Sequence, residues 1–150
     1  MRYNTISMTR YQPLAIFLLR IATAANFLSA VAGRLGFWDG SPMHTAWQGF
    51  VQYTGQVNSY APASIVPFLA LAATMIEVII ALLLIIGYKT RWAALAGSTL
   101  TFIFFVSMSI SFGTQQPMNY SVLVDCTSAL LLAAMPAYRW SVDEKLAQKI

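Results

Sequence analysis

The sequence has one cysteine, one histidine and few charged residues, and each scarcity excludes a class of chemistry. With Cys126 alone, the chain cannot form an internal disulfide or a redox-active cysteine pair. With His44 alone, it cannot supply paired histidine ligands to a haem or build the usual zinc clusters. It also lacks a glycine-rich phosphate loop and a nucleophile elbow. We therefore expect no protein-bound metal and no self-sufficient redox enzyme.

Charged residues make up only 9% of the chain, whereas hydrophobic residues make up 58%. A soluble domain usually carries about 25% charged residues. A chain of 150 residues cannot bury that much apolar surface in its own core, so a lipid bilayer must cover much of it. The composition predicts a single integral membrane domain over residues 1–150. The net charge of +4 does not indicate a nucleic-acid partner, because the basic residues lie at the ends of apolar segments.

Four apolar segments each approach the ~20 residues that a helix needs to cross ~30 Å of hydrocarbon. We predict an all-α membrane fold, a bundle of four transmembrane helices with up-down topology. Pro13 suits the first turn of a helix, where a missing N–H costs little. The predicted helices cover residues 13–33, 65–86, 92–112 and 119–138, and the first external loop covers residues 34–64.

Basic residues are distributed unequally between the two predicted sides of the membrane. One side has only Arg34, and the other has Arg2, Arg10, Lys89, Arg91, Arg139, Lys145 and Lys149. The positive-inside rule therefore places both termini in the cytoplasm. A cleaved signal peptide is the alternative for the start of the chain, since residues 30–32 resemble a cleavage site. Arg20 and Asn26 interrupt its apolar run and favour retention as a membrane helix.

The predicted external loop is rich in aromatic residues. Between residues 44 and 57, apolar side chains recur at helical spacing, which predicts a short amphipathic helix at the membrane surface. One interpretation is an aromatic belt that anchors the protein at the interface. The other is a lid over an outward-facing pocket, or a docking surface for a protein partner. The residues concerned are Trp38, His44, Trp47 and Phe50.

Arg20, Glu77 and Asp125 lie inside predicted membrane segments, where a charge costs roughly 2.5–3.5 kcal/mol and is normally paired. Their depths predict an Arg20–Glu77 ion pair and a second polar layer of Asn26 with Asp125. This cluster is either a structural clasp that fixes helix register, or a pocket for a small polar or quinone-like ligand that can relay protons. A third interpretation is that Arg20 extends to the edge of the bilayer.

Small residues recur at four-residue spacing on the predicted first helix, at Ala25, Ser29 and Gly33. Such spacing lets the backbones of two helices approach closely in lipid, while bulky side chains cover the outer faces. We therefore predict that this seam faces the interior of the bundle.

Several stretches of the chain resemble the DoxX/DoxD-like family of small membrane proteins. Residues 18–22, 26–27 and 34–36 look like the first helix of that family. Glu77 and residues 83–91, which end in Gly-Tyr-Lys-Thr-Arg, are similar to its acidic residue, leucine run and Gly-x-x-Thr-Arg turn. Residues 116–122 resemble its entry to the last helix, although Met118 and Asn119 depart from the pattern.

The resemblance implies a four-helix protein of the bacterial inner membrane. The family includes the small membrane subunit of a thiosulfate:quinone oxidoreductase, and proteins associated with thiol and oxidative-stress systems. The expected function is that of an accessory membrane subunit of an inner-membrane oxidoreductase or of a thiol/oxidative-stress system, together with a partner subunit or a second copy of the chain. Arg20 would orient a quinone carbonyl, and Glu77 or Asp125 would exchange its proton. The alternative is a nonenzymatic protein: a carrier of small solutes or lipids, or a membrane assembly factor.

Overall fold

The computed structural model describes residues 8–148, and every regular element in that range is a helix. Both termini, with Arg2 and Lys149, lie outside the described residues. A 3₁₀ turn at Ala63–Ile65 leads into the third α-helix. The α-helices are α1 (Met8–Arg34), α2 (Met43–Val57), α3 (Val66–Ile86), α4 (Thr90–Phe112), α5 (Gln115–Asn119), α6 (Val122–Ala133) and α7 (Val142–Ala147).

Three helices are long and apolar enough to cross a bilayer: Tyr11–Arg34, Ala63–Ile86 and Thr90–Phe112. They correspond to three of the four predicted spans. The first helix begins earlier than predicted, so Pro13 lies inside it rather than in its first turn. A continuous fourth span over residues 119–138 is not confirmed, because α6 has only 12 residues and is ~18 Å long.

The chain between α4 and α6 is broken by a turn that the apolar pattern conceals. After α4 it forms the single turn of α5, and then Ser121 adopts a left-handed conformation with φ of 57°. A left-handed residue cannot continue a right-handed helix, so one helix ends before Ser121 and the hydrogen bonds of α6 begin at the Ser121 carbonyl, which accepts from the Asp125 N–H at 3.1 Å. A serine does not predict such a break, because serine is common within membrane helices.

The core lies where α1, α3, α4 and α6 meet, and small residues allow close contact there. Ala24, Ala81 and Ala94 are almost fully buried. A Cβ atom added to Gly97 of α4 would lie 3.1 Å from the Phe27 ring of α1, so this contact depends on glycine. The bundle is therefore tight around its centre, with bulky residues such as Phe68 exposed outward.

The C-terminal segment closes one end of the bundle. The Asp143 carboxylate accepts hydrogen bonds from the N–H groups of Lys89 and Thr90, both at 2.8 Å, and so caps α4. The Asp143 N–H donates to the Gly87 carbonyl at 2.9 Å. Arg20 donates from Nη2 to the Trp140 carbonyl at 2.7 Å. We call this end the Arg20 side and the opposite end, where α1 finishes, the Arg34 side.

Candidate functional site

A buried ion pair joins Arg34, the last residue of α1, to Glu77 near the middle of α3. The Arg34 Nη1 donates to Glu77 Oε2, and Nη2 donates to Oε1 at 2.9 Å. Nη1 also donates to the Thr74 hydroxyl at 3.1 Å. The Glu77 side chain is 2% exposed and the Arg34 side chain 12%. The guanidinium therefore binds the carboxylate through two parallel contacts, the strong and directional form of this interaction.

The amphipathic helix α2, which is present where the sequence predicts it, covers this ion pair. The Arg34 guanidinium carbon lies 4.1 Å from the centroid of the Phe50 ring, a cation–π contact. The Trp47 ring packs beside Phe50, with 5.7 Å between ring centroids. Thr54, one turn further along α2, is buried and donates to the Phe50 carbonyl at 2.8 Å. The helix thus rests on the charged pair.

A cavity of about 290 Å³ adjoins Arg34 between α2, α3 and α4. Its walls are mostly aliphatic and aromatic, and they include Leu100 and Phe104. Ile76 and Ile103 line the cavity and are also exposed on the outer surface, so the cavity opens between α3 and α4, where lipid would lie. A site of this kind accommodates an apolar ligand that has one polar end.

Arg34 can provide the polar contact in this cavity. A guanidinium has five N–H donors. Three hydrogen bonds to Glu77 and Thr74 use three of them, which leaves two without an acceptor among the residues that the structure describes. Since Glu77 balances the charge, the site would bind a neutral acceptor such as a carbonyl oxygen rather than require an anion.

The predicted Arg20–Glu77 ion pair is wrong. Arg20 is 1% exposed, but its guanidinium reaches the Trp140 carbonyl on the Arg20 side, away from Glu77. In an α-helix the Cα–Cβ bonds tilt toward the N-terminus. Arg20 therefore leans toward the beginning of α1, whereas Arg34 leans back from the end of α1 toward the centre of the membrane. This tilt explains why Arg34, and not Arg20, pairs with Glu77.

Asn26 and Asp125 line a second, separate groove between α1 and α6, together with Thr23 and Ser128. The groove has a volume of about 290 Å³, and the Asn26 amide faces the Asp125 carboxyl group across it. Asn26 is exposed and Asp125 is half-buried. The three predicted intramembrane charges therefore lie in three different places, and no single interior cluster unites them.

The three aromatic residues and the histidine that are predicted for partner docking do not share one surface. The Phe50 ring lies against the Arg34 guanidinium, and Trp47 packs beside Phe50; both side chains are partly buried. His44 is exposed and its Nε2 lies 3.2 Å from the Thr45 hydroxyl. Trp38 is 71% exposed, and its indole N–H donates to the Ser29 carbonyl at 2.9 Å. Of these four residues, only Trp38 and His44 are exposed.

Comparison with known families adds to this geometry. The family model described as DoxX matches residues 15–110, nearly two-thirds of the chain. The chain belongs to the DoxX family. The match confirms the resemblance seen in the sequence, and it includes the ion pair and the helices around the α2–α3–α4 cavity. In this DoxX protein, Asp125 and the similar stretch at residues 116–122 lie beyond the matched region. Searches of curated proteins and of solved structures found no match.

Sequence reasoning missed Arg34 and Thr74 as site residues of this DoxX protein. The first predicted helix ends at residue 33, so Arg34 falls in the predicted external loop, where a basic residue needs no partner. Thr74 is not among the predicted site residues, although it lies three residues before Glu77 on α3 and so on the same face. The signal for Arg34 was its position at the end of an apolar helix, from which a long side chain can reach inward.

Proposed function

We propose that this chain is an accessory membrane subunit of an oxidoreductase and binds a quinone-like ligand in the α2–α3–α4 cavity. The proposal rests on one observation: an apolar cavity adjoins Arg34, and two N–H groups of Arg34 have no acceptor among the described residues. A quinone head group has carbonyl acceptors on a flat apolar ring. Its isoprenoid tail would leave through the opening between Ile76 and Ile103 into lipid.

The cavity volume of about 290 Å³ lies near the lower end of the range for ligand sites, roughly 300–1,000 Å³. It therefore fits a ring and not a long tail. Arg34 would orient one carbonyl oxygen, and the Phe50 ring would close the site toward the Arg34 side. Electrons would come from a partner subunit, since Cys126, the only cysteine, packs against the Ser98 carbonyl at 3.4 Å.

Binding is tested by adding a short-chain ubiquinone to the purified protein and measuring thermal unfolding. At one hundred times its dissociation constant, the quinone should stabilise the folded state by about 2.7 kcal/mol. Ala73→Phe, which fills the cavity, should abolish the stabilisation. Ala15→Phe, at an exposed position of α1, should retain it. Equal stabilisation of both variants would rule out this cavity as the site.

The accessory role has a separate readout. Membranes from cells that lack the chain should reduce quinone more slowly, and the wild-type chain but not Ala73→Phe should restore the rate. An unchanged rate in the deletion strain would contradict the role in electron transfer, whatever the binding result.

A nonenzymatic carrier of lipids or small solutes is the second candidate, and the lateral opening of the cavity favours it. A carrier would move solute or lipid across proteoliposome membranes, and Glu77→Gln would abolish that movement. Quinone-dependent stabilisation without any flux would favour the accessory subunit instead.

We also propose that the protein lies in a bacterial inner membrane with both termini in the cytoplasm. Asp143 holds the C-terminal segment against the α3–α4 turn, so Lys89 and Lys145 lie on the same side. On the other side, Arg34 is already paired with Glu77. A reporter that is active only outside the cytoplasm, fused after Ile150, should be inactive. High activity would reverse the topology.

A further inference from the structure

The α1–α6 groove is a polar opening in a part of the protein that lipid would otherwise touch. Phe27 of α1 lies beside Gly97, and the Cys126 thiol donates to the Ser98 carbonyl at 3.4 Å. Gly97 and Ser98 lie about one-third of the way along α4, roughly 10 Å from its nearer end. Asn26 and Asp125, which adjoin Phe27 and Cys126 in sequence, therefore lie at a depth where water and lipid head groups are scarce.

The Asn26 amide faces the Asp125 carboxyl group within one copy of the chain, but this one contact leaves the second amide N–H of Asn26 and the remaining lone pairs of Asp125 unused. Asn26 is exposed, and Asp125 forms no ion pair with any lysine or arginine in the described part of the chain. Polar side chains that face lipid at this depth are unfavourable, whereas polar side chains between helices hydrogen-bond across them. The groove therefore needs a cover that brings hydrogen-bond partners of its own.

The surface of α1 beside the groove differs from the other lipid-facing surfaces. Its exposed residues include Ala22 and Ala25, whereas the outward face of α3 carries Leu71, Met75 and Ile79. The predicted inward seam of Ala25, Ser29 and Gly33 is thus wrong in direction, because all three are exposed. Trp38 covers the Gly33 end of this face, so close approach by another helix is confined to the part near Asn26.

We propose that this face is where a second copy of the chain docks. A two-fold axis normal to the bilayer keeps each residue of the partner copy at the same depth as in the first. The Asn26 amide of each copy is a donor and the Asp125 carboxylate of each copy is an acceptor, so the contact is self-complementary. Ala22 and Ala25 let the two α1 backbones come close enough for these hydrogen bonds to form across the axis.

Cysteine cross-linking tests the face directly. In a Cys126→Ser background, Ala25→Cys should cross-link with a short bismaleimide in native membranes and give a band at twice the chain mass. Ile79→Cys is the control, since Ile79 is exposed on α3. Its neighbour Ile80 lies beside Gly97, as Phe27 does, so Ile79 and Phe27 lie at a similar depth. It should stay monomeric. Cross-linking of Ile79→Cys alone, or of Ala25→Cys to a different protein, would overturn the proposal.

A second measurement does not depend on introduced cysteines. Photobleaching of single labelled molecules in liposomes should show dimers of the wild-type chain, and the double variant Asn26→Leu, Asp125→Leu should weaken association at least tenfold. Thr99→Leu, a polar-to-leucine change at an exposed position of α4, should leave association unchanged. A wild-type chain that is monomeric at every density would refute the dimer.

Discussion

Replacing Glu77 with alanine is expected to lower the free energy of unfolding by about 3–5 kcal/mol. The change leaves the Arg34 guanidinium buried beneath Phe50 without its carboxylate, and only the Thr74 hydroxyl remains as an acceptor. Unfolding in detergent, followed by circular dichroism across a denaturant series, measures the loss.

Arg139→Ala is the control for this prediction. Arg139 forms the other ion pair of the described residues, with Glu144, but its side chain is 62% exposed. An exposed pair contributes about 0–1 kcal/mol, so this variant should unfold almost like the wild-type chain. The double variant Arg34→Met, Glu77→Leu should recover much of the stability, because it removes both charges. If Glu77→Ala unfolds like the parent, the pair is not a structural element.

Gly87→Ala is expected to be the second most damaging single change. Gly87 ends α3 with a left-handed φ of 71°. An added Cβ would lie 2.4 Å from the Cβ of Ser141 and 2.6 Å from the Arg20 Nη1. The left-handed conformation costs an L-residue about 1–2 kcal/mol and overpacking another 1–3 kcal/mol, so the total is roughly 2–5 kcal/mol.

Gly113→Ala separates these two contributions. Gly113 ends α4 with φ of 82°, but a Cβ there would meet nothing within 4 Å. It should therefore cost only the backbone contribution, about 1–2 kcal/mol. Protease sensitivity near Ser141 would report whether the C-terminal segment has detached in Gly87→Ala. Equal losses in the two glycine variants would mean that the contact with Arg20 and Ser141 does not matter.

The sequence predicted the helices better than it predicted their contacts. Length and hydropathy were enough for α1, α3 and α4, since each is a continuous apolar segment. Helical spacing of apolar residues was enough for α2. The break at Ser121 was not predictable, because the nearest proline, Pro117, lies four residues earlier and the left-handed conformation of a serine depends on the packing around it.

The sequence predicts the buried acid of the candidate site but not the arginine with which it pairs. The sequence correctly predicts Glu77 as an acid buried among the helices, but the depth of each residue below the membrane edge favours Arg20 as its partner, whereas the partner is Arg34. Counting gives the depth of a Cα atom, whereas an arginine side chain extends several ångströms in a direction fixed by its helix. That direction decides between Arg20 and Arg34, and it becomes visible only when both helix ends are placed.

The position of Phe50 links the outer surface to the middle of the bilayer. Its ring rests on the guanidinium that neutralises Glu77, so α2 cannot lift without uncovering a charge to water. A displacement of α2 would therefore raise the dielectric constant around a carboxylate halfway along α3.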